Sequence, residues 1–379
     1  MSIQESKPDL NIEDDNQNSV HIPIDSETLK AISLDDNLKD EVPPIKDDDD
    51  NVTGENNKPK HRSCCGSLWS FLKFLIFDVK WGYVIYHVGL AVASMYVLTK
   101  SIIMFFQDPL SPEFLRRAGT GVFVFFLSIA GSIGLTSGEH RLWAHHCYKA
   151  KLPLRILLMI MATSVAESTI YFFVKHHRAH HVFLDTHADP QNVKRGFWFS
   201  QIGWRLVRAR PEYREKVKTL QYTDVLSDPV VKFQKIFFVP LVLIFAFIIP
   251  TLIPYYCWGE NLLDSFLAAG CGKSFAVITV HGMLGSVSHM YGQRPYSKKV
   301  SARENLLMSI IASGEGWHNF HHIFPYDYAL SEFGQKFNVG KLFIDLMALT
   351  GQAYGMRRAS PEYIDKMKNQ NLPPVLEFD

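Results

Sequence analysis

Apolar residues gather in four long runs along this chain, with polar stretches between them. They cover about 82–106 ("GYVIYHVGLAVASMYVLTKSIIMFF"), 117–137 ("RAGTGVFVFFLSIAGSIGLTS"), 236–256 (from "IFFVPLVLIFAFIIPTLIP") and 262–285 ("LLDSFLAAGCGKSFAVITVHGMLG"). Each is near the ~20 residues that an α-helix needs to cross the hydrocarbon of a bilayer. The pattern therefore predicts four membrane helices in two pairs, each pair joined by a short connection. A fifth apolar stretch, 152–174, contains Arg155 and Glu167. As a span it would put two histidine-rich segments on opposite sides of the membrane, so it is predicted to be a helix buried against a cap on one side. The expected fold class is an all-α membrane protein: four transmembrane helices with a cytosolic helical cap holding a histidine-rich di-metal site.

Charge sets the sidedness. Residues 1–57 hold sixteen acidic and four basic residues, and the remaining chain holds 35 basic and 22 acidic ones. The leader, with "KDDDD" at 46–50 and almost no aromatic residues, is too polar to offset its ordering entropy. It lacks the basic start and apolar core of a signal peptide and is too acidic for a transit peptide. The segment 175–218 has ten basic and four acidic residues, and "KPKHR" precedes the first span at 58–62. The positive-inside rule then puts both termini and the central segment in the cytosol. The expected organisation is a disordered acidic leader over 1–62, a membrane domain over 63–357 with its central cytosolic segment at about 138–235, and a cytosolic tail over 358–379. A lipid bilayer is the implied partner; no nucleic acid is expected. The five cysteines (64, 65, 147, 257 and 271) form no CxxC pair and imply no disulfide framework or zinc site. Cys64 and Cys65 read as ordinary thiols ahead of palmitoylation sites.

Histidine changes the picture most. "HRAHH" at 177–181 and "HNFHH" at 318–322 repeat one spacing, and positions i, i+3 and i+4 share a helix face. Chance places one HxxHH in such a chain roughly 0.03 times. His140 and His145 follow the second span, about 140° apart on an α-helix, so they could flank one metal or serve two. His289 closes the fourth span on the same side. Nine imidazoles exceed what one tetrahedral zinc takes and suit two transition-metal ions. Glu139, Asp185, Asp189 and Glu315 are candidates to hydrogen-bond the ligating rings. Zinc has no evident electrophile to act on here. A pair of irons, able to activate dioxygen against an unactivated C–H bond, suits a site abutting lipid. Trp198, Trp204 and Trp317 read as core.

The strings "GEHRLWAH" (138–145), "HRAHHVFLDTHADPQN" (177–192), "RGFWFSQIGW" (195–204), "YCWGE" (256–260) and "GEGWHNFHHIFPYDY" (314–328) resemble the membrane acyl-CoA desaturase family, in particular its stearoyl-CoA or Δ9 type. The resemblance covers about 80–357. It implies two ferrous ions held by His140, His145, His177, His180, His181, His289, His318, His321 and His322, with O2 as co-substrate. It also implies a fatty acyl-CoA substrate in a narrow kinked tunnel, and electrons from NADH through a reductase and cytochrome b5. A multi-pass location in the endoplasmic reticulum membrane follows. No side chain is assigned as catalytic. Lys175, Arg208, Arg210 and Ser168 are the expected substrate contacts, with Lys194 and Arg195 as further phosphate partners.

Departures from the family pattern fall near the head group. Ser168 stands where Asn is usual, Lys175 where Arg is, and His176 where Asp is. Ala209 interrupts a basic pair, Gly285 replaces an Asn, and Gly282 replaces a tunnel Trp. A lipid hydroxylase, a desaturase using a carrier other than CoA, and a non-catalytic lipid-binding homologue therefore stay open as alternatives.

Overall fold

The computed structural model describes residues 72–371. The expected leader, the pair Cys64–Cys65 and residues 372–379 lie outside that range. The described chain is almost wholly helical, with one short antiparallel pair of strands, Lys149–Ala150 against Ala353–Tyr354.

Four helices are long and apolar enough to cross a membrane: α1 (Trp81–Gln107), α2 (Pro112–Ala144) and, after a run of shorter helices, a second pair. The first two of the shorter helices are α3 (Leu152–Thr163) and α4 (Ile170–Val182); the second pair is α5 (Phe238–Trp258) and α6 (Leu262–Met290). At 1.5 Å per residue, α1 is ~40 Å long, enough for the hydrocarbon and part of each interface. It leaves Ile85, Val92, Met95 and Leu98 exposed, a row that only lipid would cover in a stable protein. Within the bundle, Leu90 and Ala93 of α1 meet Leu135 of α2 and Val277 and Ile278 of α6.

The two pairs are tied by charge at the ends away from the histidines. Asp264 at the start of α6 takes both Lys100 of α1, at 2.6 Å, and Arg117 of α2. Arg117 and Asp264 are buried, so each charge is tolerable only because of the other.

The stretch 152–174 differs from the single helix its sequence suggests. It is α3, then a break, then the start of α4. Ala166 has φ +59°, and Thr169 caps α4 by accepting the Phe172 N–H at 3.1 Å. The two charges within it are neutralised separately: Arg155 meets Asp228 at 2.9 Å, and Glu167 pairs with Arg205. α3 buries Leu154, Leu158 and Met159 and leaves Leu152, Ile156 and Leu157 exposed. With 12 residues it is too short to span.

The main core lies where α2, α3 and α4 meet Ile344 of the helix Val339–Leu349. A smaller cluster forms around α7 (His318–Ile323), where Phe320 and Phe324 pack on Tyr296 and on Ile364 of α8 (Pro361–Asn371). Part of the expected C-terminal tail is thus a helix packed beside "HNFHH". The close approach of α3 to α2 depends on Gly134, where a Cβ would stand 2.2 Å from the Ala162 backbone nitrogen. Gly134→Val should destabilise the protein by about 1–3 kcal/mol, read as a lowered Tm in detergent. Gly121→Ala, with nothing within 4 Å, should leave the Tm unchanged.

Candidate metal centre

The four segments that carry the histidines converge at the C-terminal ends of α2 and α6. α2 reaches this point as a π-helix over Gly134–Ala144, with i→i+5 bonding. The His145 N–H donates to the His140 carbonyl at 3.1 Å, which brings the two rings to 5.0 Å between centroids. On an α-helix they would point apart; the wider turn puts them side by side. Their sequence spacing left one metal or two open, and the structure puts both rings in one group.

Nine imidazoles divide into two groups. His140, His145, His177, His181 and His321 form one; His180, His289, His318 and His322 form the other, and ligand atoms within each lie within 4.8 Å of one another. The two HxxHH motifs share a geometry. In α4, His177 and His181 serve the first group and His180 the second. In α7, His318 and His322 serve the second and His321 the first. Residues i and i+4 stand nearly above one another on a helix, while i+3 leans to the other side of that row. One helix turn can therefore serve two ions. The rings of His181 and His322 stack at 4.3 Å where the groups meet.

Outward-facing acids fix the tautomers. Nδ1 of His140 donates to Glu315 Oε2 at 2.8 Å, and Nδ1 of His180 donates to Asp189 Oδ1 at 2.9 Å. Nδ1 of His289 donates to Ser301 Oγ at 2.7 Å, and that hydroxyl donates to Asp185 Oδ1 at 2.8 Å. A carboxylate only accepts, so Nδ1 carries the proton in His140 and His180, and Nε2 is left as an inward lone pair. Nε2 of His140 lies 3.0 Å from that of His321, and Nε2 of His289 lies 3.1 Å from that of His318. Lone pairs gathered at such distances fit a cation between them. Of the four acids expected to support the rings, Glu315, Asp189 and, through Ser301, Asp185 do so. Glu139 is buried and hydrogen-bonds to none of the nine among the described residues.

Electrostatics keep six of the nine rings neutral. Burial, followed by neighbouring imidazoles, pushes His145, His177, His181, His321 and His322 well below the ordinary histidine range. His318 is pushed down to about 3 by the same causes. Neutral imidazole is the form that binds metal. Burial works against the charge of Glu315, yet His140 and Arg141 hold its carboxyl down to about 2. Arg141, itself fully buried, donates to Glu315 Oε1 at 2.9 Å and to Asn338 Oδ1 at 3.2 Å. Asn319, inside the second motif, accepts the Tyr296 N–H at 2.9 Å and donates to the Ala302 carbonyl at 3.0 Å, fixing α7 to the loop after α6.

A cavity of about 70 Å³ touches both groups, lined by His140, His177, His180 and His318 together with Leu135, Phe173, Trp204 and Leu284. Gly282 and Gly285 also line it. A Cβ at Gly282 would lie 2.6 Å from the Gln201 carbonyl oxygen, and one at Gly285 would lie 2.8 Å from Gln191 Oε1. The space beside the two glycines is thus taken by two glutamines. Gln201 also donates to the Thr279 carbonyl at 2.9 Å.

Trp204 lines a second, basic pocket as well, with Lys80, Arg195, Arg208 and Arg210. There Nη1 of Arg210 donates to Nδ1 of His187 at 2.8 Å. His176 packs at its wall on Tyr213, with ring centroids 5.3 Å apart, and burial pushes it down to about 3. Lys175 and Ser168 are half-buried and line neither cavity; Lys194 donates to the Asp185 carbonyl at 3.0 Å. Trp204 and Trp317 are buried as expected, whereas Trp198 is 75% exposed and is not core. Ser301 and the pair Glu167–Arg205 carry no motif that would single them out in the sequence.

Comparison with known proteins points to one family. The family model "Fatty acid desaturase" matches residues 118–332. The chain is 44% identical over 241 residues to "Stearoyl-CoA desaturase 2" of Rattus norvegicus, covering 64% of this chain and 67% of that protein. It is 45% identical over 240 residues to "Stearoyl-CoA desaturase" of Homo sapiens, covering 63% and 66%. For "Stearoyl-CoA desaturase 5" of Bos taurus the identity is 43% over 249 residues, covering 66% and 74%.

Replacing Asp189 by Ala should weaken metal retention about 10–100-fold in competition with a chelator, since ring orientation is lost while the ligands remain. Replacing Glu315 by Ala should do the same and also destabilise the fold by about 3–5 kcal/mol, because Arg141 is left buried without its anion. Unchanged Tm in the second variant would contradict the role given to that pair.

Proposed function

The chain belongs to the fatty acid desaturase family, and from that premise we propose that it inserts a cis double bond, of Δ9 type, into a saturated fatty acyl chain presented as its CoA thioester. The observation that carries this reading is the pair of histidine groups gathered at the ends of two helices long and apolar enough to cross a membrane. The enzyme is an oxidoreductase. Two ferrous ions bound in these groups would supply, with O2, the oxidising power that an unactivated C–H bond requires.

Proposed ligands of the first ion are His140, His145, His177, His181 and His321; those of the second are His180, His289, His318 and His322. Glu315, Asp189 and Ser301 hold three of these rings in orientation. In balance, two adjacent methylenes each lose one hydrogen, and O2 with two electrons and two further protons leaves as two waters. We assign the electrons to NADH through a reductase and cytochrome b5. No side chain forms a bond to the substrate; the chain's residues position it and exclude water.

Arg195, Arg208, Arg210 and Lys80 offer the carrier's phosphates charge-assisted hydrogen bonds. The basic pocket and the metal cavity share Trp204, which supports a path from carrier to metals. Lys175 and Ser168 line neither and have no part in this proposal. The proposed setting is the endoplasmic reticulum membrane with both termini and the segment 138–235 cytosolic, a leader over 1–62, the catalytic domain over 63–357 and a tail over 358–379.

Expression in yeast lacking its own desaturase, fed saturated chains of several lengths, should yield a new monoene by gas chromatography–mass spectrometry. His321→Ala should reduce that product at least about 100-fold. A hydroxylated product in place of the alkene would overturn the reading in favour of a hydroxylase. Arg210→Ala should raise KM for the acyl-CoA roughly tenfold or more while leaving kcat near its original value, as expected for a contact made equally in ground and transition states.

A further inference from the structure

The wall of the metal cavity is more polar than an alkyl chain calls for. Besides its histidine ligands and apolar residues it contains Thr136, Glu167, Gln191, Arg205, His281 and Glu315. Glu315 uses both carboxylate oxygens, one on Arg141 and one on His140. Nε2 of His281 bonds Ser132 Oγ at 3.0 Å. Thr136 Oγ1, a hydroxyl, is buried without a partner, and Glu167 adds a buried carboxylate oxygen that is likewise unpaired. Oε1 of Glu167 accepts from Arg205, but its Oε2 is buried with no partner, and the side chain is only 6% exposed.

Position adds to the anomaly. Glu167 sits in the break between α3 and α4, ahead of the turn that carries His177. Arg205 follows Trp204, the residue shared with the basic pocket, and its carbonyl accepts from Lys80 Nζ at 3.1 Å. Both residues of the ion pair line the metal cavity, beside the tryptophan it shares with the basic pocket. A purely hydrocarbon chain would expel water from the cavity and strand Glu167 Oε2 without a donor. A buried acceptor of this kind selects for a ligand O–H and rejects the analogue that lacks it.

We propose that the substrate of this enzyme is a hydroxyl-bearing acyl chain, whose O–H donates to Glu167 Oε2 and whose oxygen lies within reach of the Arg205 guanidinium. The inference rests on the acyl-CoA desaturase reading and narrows it: the hydroxyl is a recognition handle that the reaction leaves unchanged. Glu167 and Arg205 are thus specificity-determining residues.

The test compares octadecanoyl-CoA with its mid-chain hydroxy isomers, hydroxyl at successive carbons, on the iron-loaded full-length protein in nanodiscs. Affinity is read by calorimetry and turnover by product analysis. At least one isomer should bind about tenfold or more tighter than the plain chain. The double variant Glu167→Leu with Arg205→Leu should abolish that preference by binding the plain chain better. Glu167→Gln, which keeps shape and an acceptor oxygen, should retain part of it and serves where the double variant does not fold. If no isomer binds more tightly than the plain chain, the inference falls while the desaturase reading stands, and an ordered water is what serves Glu167. If neither kind of CoA ester binds, both fall.

Discussion

Nine imidazole nitrogens facing inward within a buried site repel one another unless a cation lies among them. The rest of the structure is arranged around that requirement. Each ring has to be neutral, turned the right way and held there. Burial keeps His145, His177, His181, His318, His321 and His322 neutral. Glu315, Asp189 and the Ser301–Asp185 relay turn three of them by engaging Nδ1 from behind. Glu315 can remain an anion at this depth only because Arg141 is buried beside it, so the guanidinium belongs to the site although it touches no ligand.

The spans and the cap follow from the same need. The nine histidines come from α2 and the residue after it, α4, α6 and α7, and none of those elements alone presents more than three. α2 and α6 are long enough to cross the bilayer and end at one level, while α4 and α7 close over that level from the cap. The opposite ends of the spans are fixed by Asp264 with Lys100 and Arg117. This makes the depth of the site a property of helix length, with the two histidine groups at the ends of the spans.

Much of this is legible in the sequence because it depends on local periodicity. The four spans and the HxxHH spacing are both patterns within one helix, and the family motifs lie in the same stretches. Other features depend on departures from ideal helices. The π-turn that brings His140 beside His145 has no composition of its own, so an α-helical projection separates the two rings. The break at Ala166 and the pairing of Glu167 with Arg205 join residues 38 apart in the chain. The division of each HxxHH between two groups depends on how α4 and α7 face one another, which neither motif contains. Gln201 and Gln191 filling the space beside Gly282 and Gly285 is likewise a matter of tertiary approach.

The central claim is that the nine histidines form two adjacent sites, each holding an iron ion. It is tested most directly by metal analysis of the purified full-length protein combined with anomalous scattering at the iron edge. The account predicts two irons per chain, one within each histidine group, with both anomalous peaks near the imidazole Nε2 atoms. A single metal confined to one group, or zinc in place of iron at full occupancy, would contradict it.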